Sequence, residues 1–289
     1  MMSLTFEDSQ LAAIPSTSYR QGRHRRTGPT SENAWRRLVP HTWVLTNRIL
    51  RRWSRDPATV FESLVIPIVL LVTLDIVLGD AISQVTGHSA LYGSVPLVAM
   101  VGAMTGGMIG GIGLMGERTA GLLSRLWVLP VHRASGLLAR LAADVVRIVV
   151  LTACILCTGL LLGFRFRQGL LESVAWLFIP ACLGLAFSAI VITIALYAPS
   201  TIMVEATEVI WAALMFFSTG FMPLEQYPDW IQPVVQHQPV SCAVDVMRGL
   251  SVGGPVMAPF VEMLLWTAGI VAVCAIPMAI GYRKASRRG

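Results

Sequence analysis

Ionisable side chains set inside apolar runs are the residues of this sequence whose types and spacing could do chemistry. Asp144 and Arg147 stand three apart in one such run, a single helical turn, so they share a helix face. A charge at the centre of a bilayer is costly unless it is paired or watered. The pair therefore has two readings: mutual neutralisation within the helix, or contact with a substrate or a neighbouring subunit. Glu205 and Glu208 open a later run, where carboxylates either favour the positive end of the helix dipole or serve as a gate or partner contact. Asp75 and Asp80 fall near the outer end of the first run and read as solvated, and Glu262 starts the last run and supports its first turn. No catalytic residue and no metal site is expected. Cys154 and Cys157 form a C-x-x-C, but no second ligand pair follows and the surroundings are hydrocarbon. The sequence has no G-x-x-x-x-G-K-[ST] to cradle phosphates, no H-E-x-x-H, and no Ser/His/Asp set at a common membrane depth. These absences argue against an enzyme, and energy from ATP would have to come from another chain.

The elements that position these groups follow from composition. Of 289 residues 55% are hydrophobic and only 13% charged, with a mean hydropathy of +0.67. Soluble chains carry about a quarter charged residues, so the membrane is the main solvent. The net charge of +6 does not imply nucleic acid, because the basic residues collect at junctions between apolar runs. A span needs about 20 apolar residues to cross about 30 Å of hydrocarbon. Six stretches qualify: Ala58–Leu78, Ser94–Met115, Leu138–Gly163, Leu171–Tyr197, Met203–Met222 and Phe260–Tyr282. The expected class is an all-α membrane protein of six transmembrane helices, its permease domain covering residues 57–289. Ten arginines precede the first span. Arg118, Arg125, Arg133 and Arg140 lie between the second and third, and Arg283, Lys284, Arg287 and Arg288 follow the last. Arg165, Arg167 and Arg248 alone fall on the other side, so the positive-inside bias places both termini in the cytoplasm of a multi-pass plasma-membrane protein.

Outside the spans, residues 1–32 are polar and basic without a secretory h-region and read as a disordered cytoplasmic arm. Residues 33–56 predict an amphipathic interfacial helix. Trp35 and Trp53 share the apolar half with Leu38, Val39, Trp43, Leu45, Ile49 and Leu50, whereas Arg48, Arg51, Arg52 and Arg55 share the basic half. Pro40 marks its start or a kink, and Asp56 with Pro57 supplies an N-cap and first-turn proline for the next helix. In the second span Gly102, Gly106 and Gly110 fall four apart, a spacing for close helix contact within one bundle or at a seam with another chain. The loop 116–137, ERTAGLLSRLWVLPVHRASG from Glu117, mixes Leu122, Leu126 and Trp127 with Arg118, Arg125 and Arg133 and stops at Pro130, which suits docking on a soluble partner. The segment 223–259 is apolar but broken by Pro228, Pro233, Pro239 and Pro255. It predicts a re-entrant or surface-lying helical pair, with a helix over Val240–Leu250 ended by Gly249.

These stretches carry a resemblance. The loop after the glycine-bearing second span, GFRFRQGL at Gly163, STGFMPLEQYPDWIQPVVQHQPVS at Ser218 and MRGLSVGGPV at Met247 resemble type-2 ABC exporter permeases of the daunorubicin-resistance family, above all its mycobacterial members. The likeness runs from about Asn47 to the C-terminus. It implies a subunit of an ATP-driven exporter that pairs with a second, DrrB-like permease and two copies of a DrrA-like ATPase, the latter holding ATP and Mg. The implied ATPase contact comprises Glu117, Arg118, Gly121, Leu122, Arg125, Leu126, Pro130 and Arg133, with the helix from Trp35 to Arg55. This chain departs from the family in opening the loop as ERTAG, with Ala120 before the glycine. The implied cargo is a complex envelope lipid such as a phthiocerol dimycocerosate, or a hydrophobic drug. Two other readings stay open. One is an ion-coupled secondary carrier using Glu205, Glu208 or Asp144 as proton sites, which the lack of inverted repeats disfavours. The other is a membrane scaffold that uses only the docking loop.

Overall fold

The computed structural model describes residues 31–86, 89–122 and 135–287, and every regular element among them is helical. Helix α1 is Ser31–Ser54, α2 Pro57–Thr86, α3 Leu91–Thr119, α4 Ser135–Leu162, α5 Leu170–Tyr197 and α6 Thr201–Phe216. A 3-10 turn at Leu224–Gln226 leads to α7, Gln232–His237, then α8, Pro239–Val252, and α9, Met257–Arg287. Among the described residues five helices are long and apolar enough to cross a membrane, namely α2, α3, α4, α5 and α9. The stretch expected as the fifth of six spans is the 16-residue α6. At 1.5 Å per residue it is about 24 Å long, below the roughly 30 Å of a hydrocarbon core.

Local chemistry explains where the first elements begin. Asp56 accepts hydrogen bonds from the Thr59 amide at 3.3 Å and the Thr59 hydroxyl at 2.7 Å, and Pro57 takes the first helical position, so α1 ends and α2 starts at this cap. Those same bonds, the hydroxyl foremost, hold the Asp56 carboxyl below its ordinary range. Helix α1 continues through Pro40 and packs along α4, where the Thr46 hydroxyl reaches Ala139 O at 3.3 Å. Val39, Trp43 and Val44 remain exposed on it.

Helix α3 is the hub, wedged between α4 and α5. Its four-spaced glycines face α4. A Cβ at Gly102 would lie 2.7 Å from Ile155 Cδ1, one at Gly106 2.9 Å from Ile148 Cγ1, and one at Gly110 would run into the Asp144 carboxylate. The stripe thus serves packing within this bundle. At the α4–α5 turn, Phe164 and Phe166 of the GFRFRQGL motif stack edge-on with centroids 5.2 Å apart, and Phe164 lies 6.0 Å from the fully buried Trp176. Three aromatic rings thereby anchor the turn.

After Phe216 the chain stays apolar in sequence but leaves the helix, and its freed backbone groups are met by side chains. The Tyr227 hydroxyl donates to Phe216 O at 2.8 Å and to Ser218 O at 3.2 Å. Gln238 donates to Phe217 O, Arg248 to Thr219 O at 2.9 Å, and the Thr219 amide donates to Ser241 Oγ at 3.2 Å. Irregular backbone at membrane depth persists only when protein satisfies it in this way. The donors come from the α7–α8 pair and the turn before it, so the segment 223–259 folds back to cap α6. Helix α8 is almost wholly buried and ends beyond the expected Gly249, at Gly253, whose φ of +102° suits glycine.

Candidate functional site

Six helices, α1 to α6, together wall a cavity of about 800 Å³. Its sides are apolar and soft: Leu70, Leu74, Leu97, Met104, Met108 and Met215, with Phe187, Trp211, Phe216 and Phe221. Methionine and aromatic linings adapt to bulky apolar bodies of varied shape. Phe187 and Trp211 stack edge-on at 5.0 Å and join α5 to α6 along this wall.

The charged lining residues come from the cap between α1 and α2, from the adjoining ends of α1, α2 and α3, and from the first half of α4: Arg52, Asp56, Glu62, Glu117, Arg140, Asp144 and Arg147. Two sets of ion pairs organise them. Glu117, near the end of α3, is clasped by Arg140 of α4 and faces Arg52 of α1 at 3.6 Å. One carboxylate thus ties the last turns of α1 and α3 to the first turns of α4. Deeper in α4, Arg147 Nη1 donates to Asp144 Oδ1 at 2.7 Å and to Gly106 O at 2.8 Å, and its guanidinium stands 5.6 Å from the Trp53 ring centroid. Both members are almost fully buried, so the pair exists because neither charge could stay in apolar surroundings alone. Asp144 Oδ2 and Arg147 Nε have no hydrogen-bond partner.

The residues singled out from sequence lie in different parts of the structure. Asp144 and Arg147 meet each other and the cavity. Arg52, Trp53 and Glu117 join them in the same wall. Arg118 turns away from the loop and caps the end of α5, donating to Ala195 O at 3.1 Å and Ala198 O at 2.9 Å. Gly121 bends the chain after α3 with a φ of +67°, and Leu122 is half-buried beside it. Arg48, Arg51 and Arg55 are exposed on or just after α1, as is Glu205 on α6, while Trp35 and Glu208 lie on their helices without further description. Arg125, Leu126, Pro130 and Arg133 lie outside the described residues.

Sequence reasoning missed Glu62, Asp56 as a cavity residue, and the Met104–Met108 and Phe187–Trp211 walls. Glu62 carried a usable signal, being a carboxylate inside the first apolar run. The methionines and aromatics carried none, since lining and core positions look alike until the helices are assembled.

Comparison with known proteins fits this architecture. A model of the ABC-2 type transporter family matches residues 40–251. The chain is 54% identical over 258 residues to the probable doxorubicin resistance ABC transporter permease protein DrrC of Mycobacterium tuberculosis, covering 89% of this chain and 94% of that one. It is 26% identical over 274 residues to the daunorubicin resistance ABC transporter permease protein DrrB1 of Streptomyces coeruleorubidus, covering 94% and 92%. A putative transport permease, ycf38, of Cyanophora paradoxa matches at 23% over 219 residues, 74% of each chain. With its apolar helical bundle, its loop between α3 and α4 and these matches, the chain belongs to the ABC-2 type transporter permeases of the daunorubicin- and doxorubicin-resistance family.

Proposed function

We propose that this chain is the transmembrane subunit of an ATP-driven exporter that moves a lipid or hydrophobic drug across the plasma membrane, and that it does no chemistry itself. ATP and Mg bind on a separate DrrA-like ATPase present in two copies, and a second, DrrB-like permease completes the pathway. Six crossings are counted in this reading, with α6 and the capped backbone after it forming the short fifth, so both termini are cytoplasmic. The observation that carries the reading is the continuity between the cavity and the coupling elements. Glu117 and Arg52 line the cavity and also sit at the ends of α3 and α1, next to the loop and the helix expected to bear on the ATPase. A push on either end therefore moves a cavity wall. ATPase closure would tilt α1 and α3 against α4 and shift the cavity between inward and outward states. Residues 116–137 form the coupling loop, with Arg125, Leu126, Pro130 and Arg133 as its docking side chains. The envelope lipid or the drug is the cargo that such a mostly apolar cavity with one charged region suits.

The test is export from reconstituted vesicles holding the whole complex. With ATP held constant, collapse of the proton gradient leaves export unchanged if this reading is right. Loss of export on that treatment supports an ion-coupled carrier and removes the ATP-driven reading.

A further inference from the structure

The turn between α4 and α5 carries two guanidinium groups that the fold holds in place and leaves without a counter-ion. Gly163, at a φ of +111°, breaks α4 and opens this turn. Arg165 and Arg167 are exposed on it, and their backbone is tied at two points. The Tyr92 hydroxyl donates to Arg165 O at 3.2 Å, and the Arg167 amide donates to Ser251 O at 2.8 Å. Between them Phe164 is fully buried, its ring 5.3 Å from Tyr92, 5.2 Å from Phe166 and 6.0 Å from Trp176. One amino group of Arg165 caps α4, donating to Leu160 O at 2.6 Å and Phe164 O at 3.0 Å, while Arg167 stands over the Tyr92 ring at 5.9 Å. Among the described residues the other guanidinium N–H groups have no acceptor, and no carboxylate pairs with either arginine. Arg248, the third basic residue expected on this side, differs in facing Asp245 at 3.6 Å and donating to Thr219 O. Glu172, the carboxylate nearest in sequence, folds back over the Gly169 backbone.

The depth of the turn says what the counter-ion is. Helix α4 starts at the face where Arg140 meets Glu117, and its 28 residues span about 42 Å at 1.5 Å each. That length matches hydrocarbon plus headgroups, so the far end of α4 brings both arginines to headgroup level on the opposite membrane surface. Leu161, Leu170 and Leu171 flank the turn at 89%, 87% and 79% exposure, on the hydrocarbon side of the arginines. Arginine meets phosphate as a planar fork of donors, and paired positive charge at a membrane surface attracts anionic lipid. An acidic protein segment would match the arginines but not the three leucines beside them. A phospholipid matches both.

We infer that the α4–α5 turn is a binding site for an anionic phospholipid, with Arg165 and Arg167 receiving its headgroup phosphate and Leu161, Leu170 and Leu171 flanking its acyl chains. The lipid is a resident of the membrane and not cargo. None of these residues lines the cavity, so the site stands or falls independently of the transport reading. Because the turn is already fixed by Tyr92 and Ser251, little ordering is needed when the headgroup binds.

The probes are phosphatidylglycerol and phosphatidylcholine carrying the same acyl-chain diazirine, each added in trace to phosphatidylcholine nanodiscs that hold the whole complex. Peptide mapping by mass spectrometry after illumination reads the labelling of residues 161–171. The phosphatidylglycerol probe labels this turn about fivefold more than the phosphatidylcholine probe. Arg165→Gln with Arg167→Gln removes the excess and leaves labelling along α1 unchanged. Arg167→Gln alone, which spares the Arg165 cap on α4, already lowers it. Equal labelling by the two probes in the unaltered complex overturns the proposal, and so does an excess that survives the double substitution. Loss of the excess on adding inorganic phosphate, but not sodium chloride of equal ionic strength, assigns the site to a free anion and overturns the lipid. Cross-linking of the turn to the second permease in place of lipid overturns it as well.

Discussion

Asp144 and Arg147 show how the cost of a buried charge dictates a local structure. Removing one partner leaves the other unpaired at under 3% exposure, which costs about 3–5 kcal/mol in buried pairs of this kind. Replacing both with apolar groups of similar volume is far cheaper, because no charge is then desolvated. Asp144→Leu or Arg147→Met alone should therefore lower the thermal midpoint of the detergent-solubilised chain sharply, and the double variant should recover most of the loss. A double variant as unstable as the singles would mean that Gly106 O and Trp53, and not the partner charge, are what Arg147 serves. The spacing made this pair legible in the sequence. It could not show that Gly110 is the notch against which Asp144 packs, because that contact joins residues 34 apart on two helices. Arg118 marks another limit: charge counting puts it on the loop side, yet its guanidinium serves the carbonyls at the end of α5.

At the scale of elements, apolar run length read the long helices well. Ser94–Met115 became Leu91–Thr119 and Leu171–Tyr197 became Leu170–Tyr197, because an uninterrupted apolar run at membrane depth has no better backbone solution than a helix. In the fifth stretch the same rule overran the helix. Hydropathy continues to Met222, but the helix stops at Phe216, and what makes the stop tolerable is a set of side-chain donors 9 to 29 residues away. Tyr227 is the most economical of these, since one hydroxyl serves two carbonyls. Tyr227→Phe keeps the ring and removes the donor to Phe216 O, at a cost of about 1–3 kcal/mol, while Ser218 O keeps the Phe221 and Met222 amides. The expected result is a lower melting midpoint with unchanged membrane insertion, read by thermal unfolding of the purified chain. An unchanged midpoint would show that another donor takes over the Phe216 carbonyl. The STGF and YPDW stretches that carried the family resemblance are thus the two sides of one cap.

For the whole molecule, the order of helices puts the ends of α1 and α3 into the wall of an apolar cavity. Composition and topology counting made the membrane setting legible, and motif resemblance pointed to an exporter permease. The cavity was not legible, because its wall is drawn from six helices whose mutual positions no periodicity encodes. The central claim is that this chain is the membrane half of a machine whose ATPase is a separate polypeptide. Purification from its own host in mild detergent, with identification and stoichiometry of the accompanying proteins by native mass spectrometry, tests this most directly. Two copies of an ATPase and one second permease per chain are predicted; a lone chain or a homodimer free of any ATPase would contradict the claim.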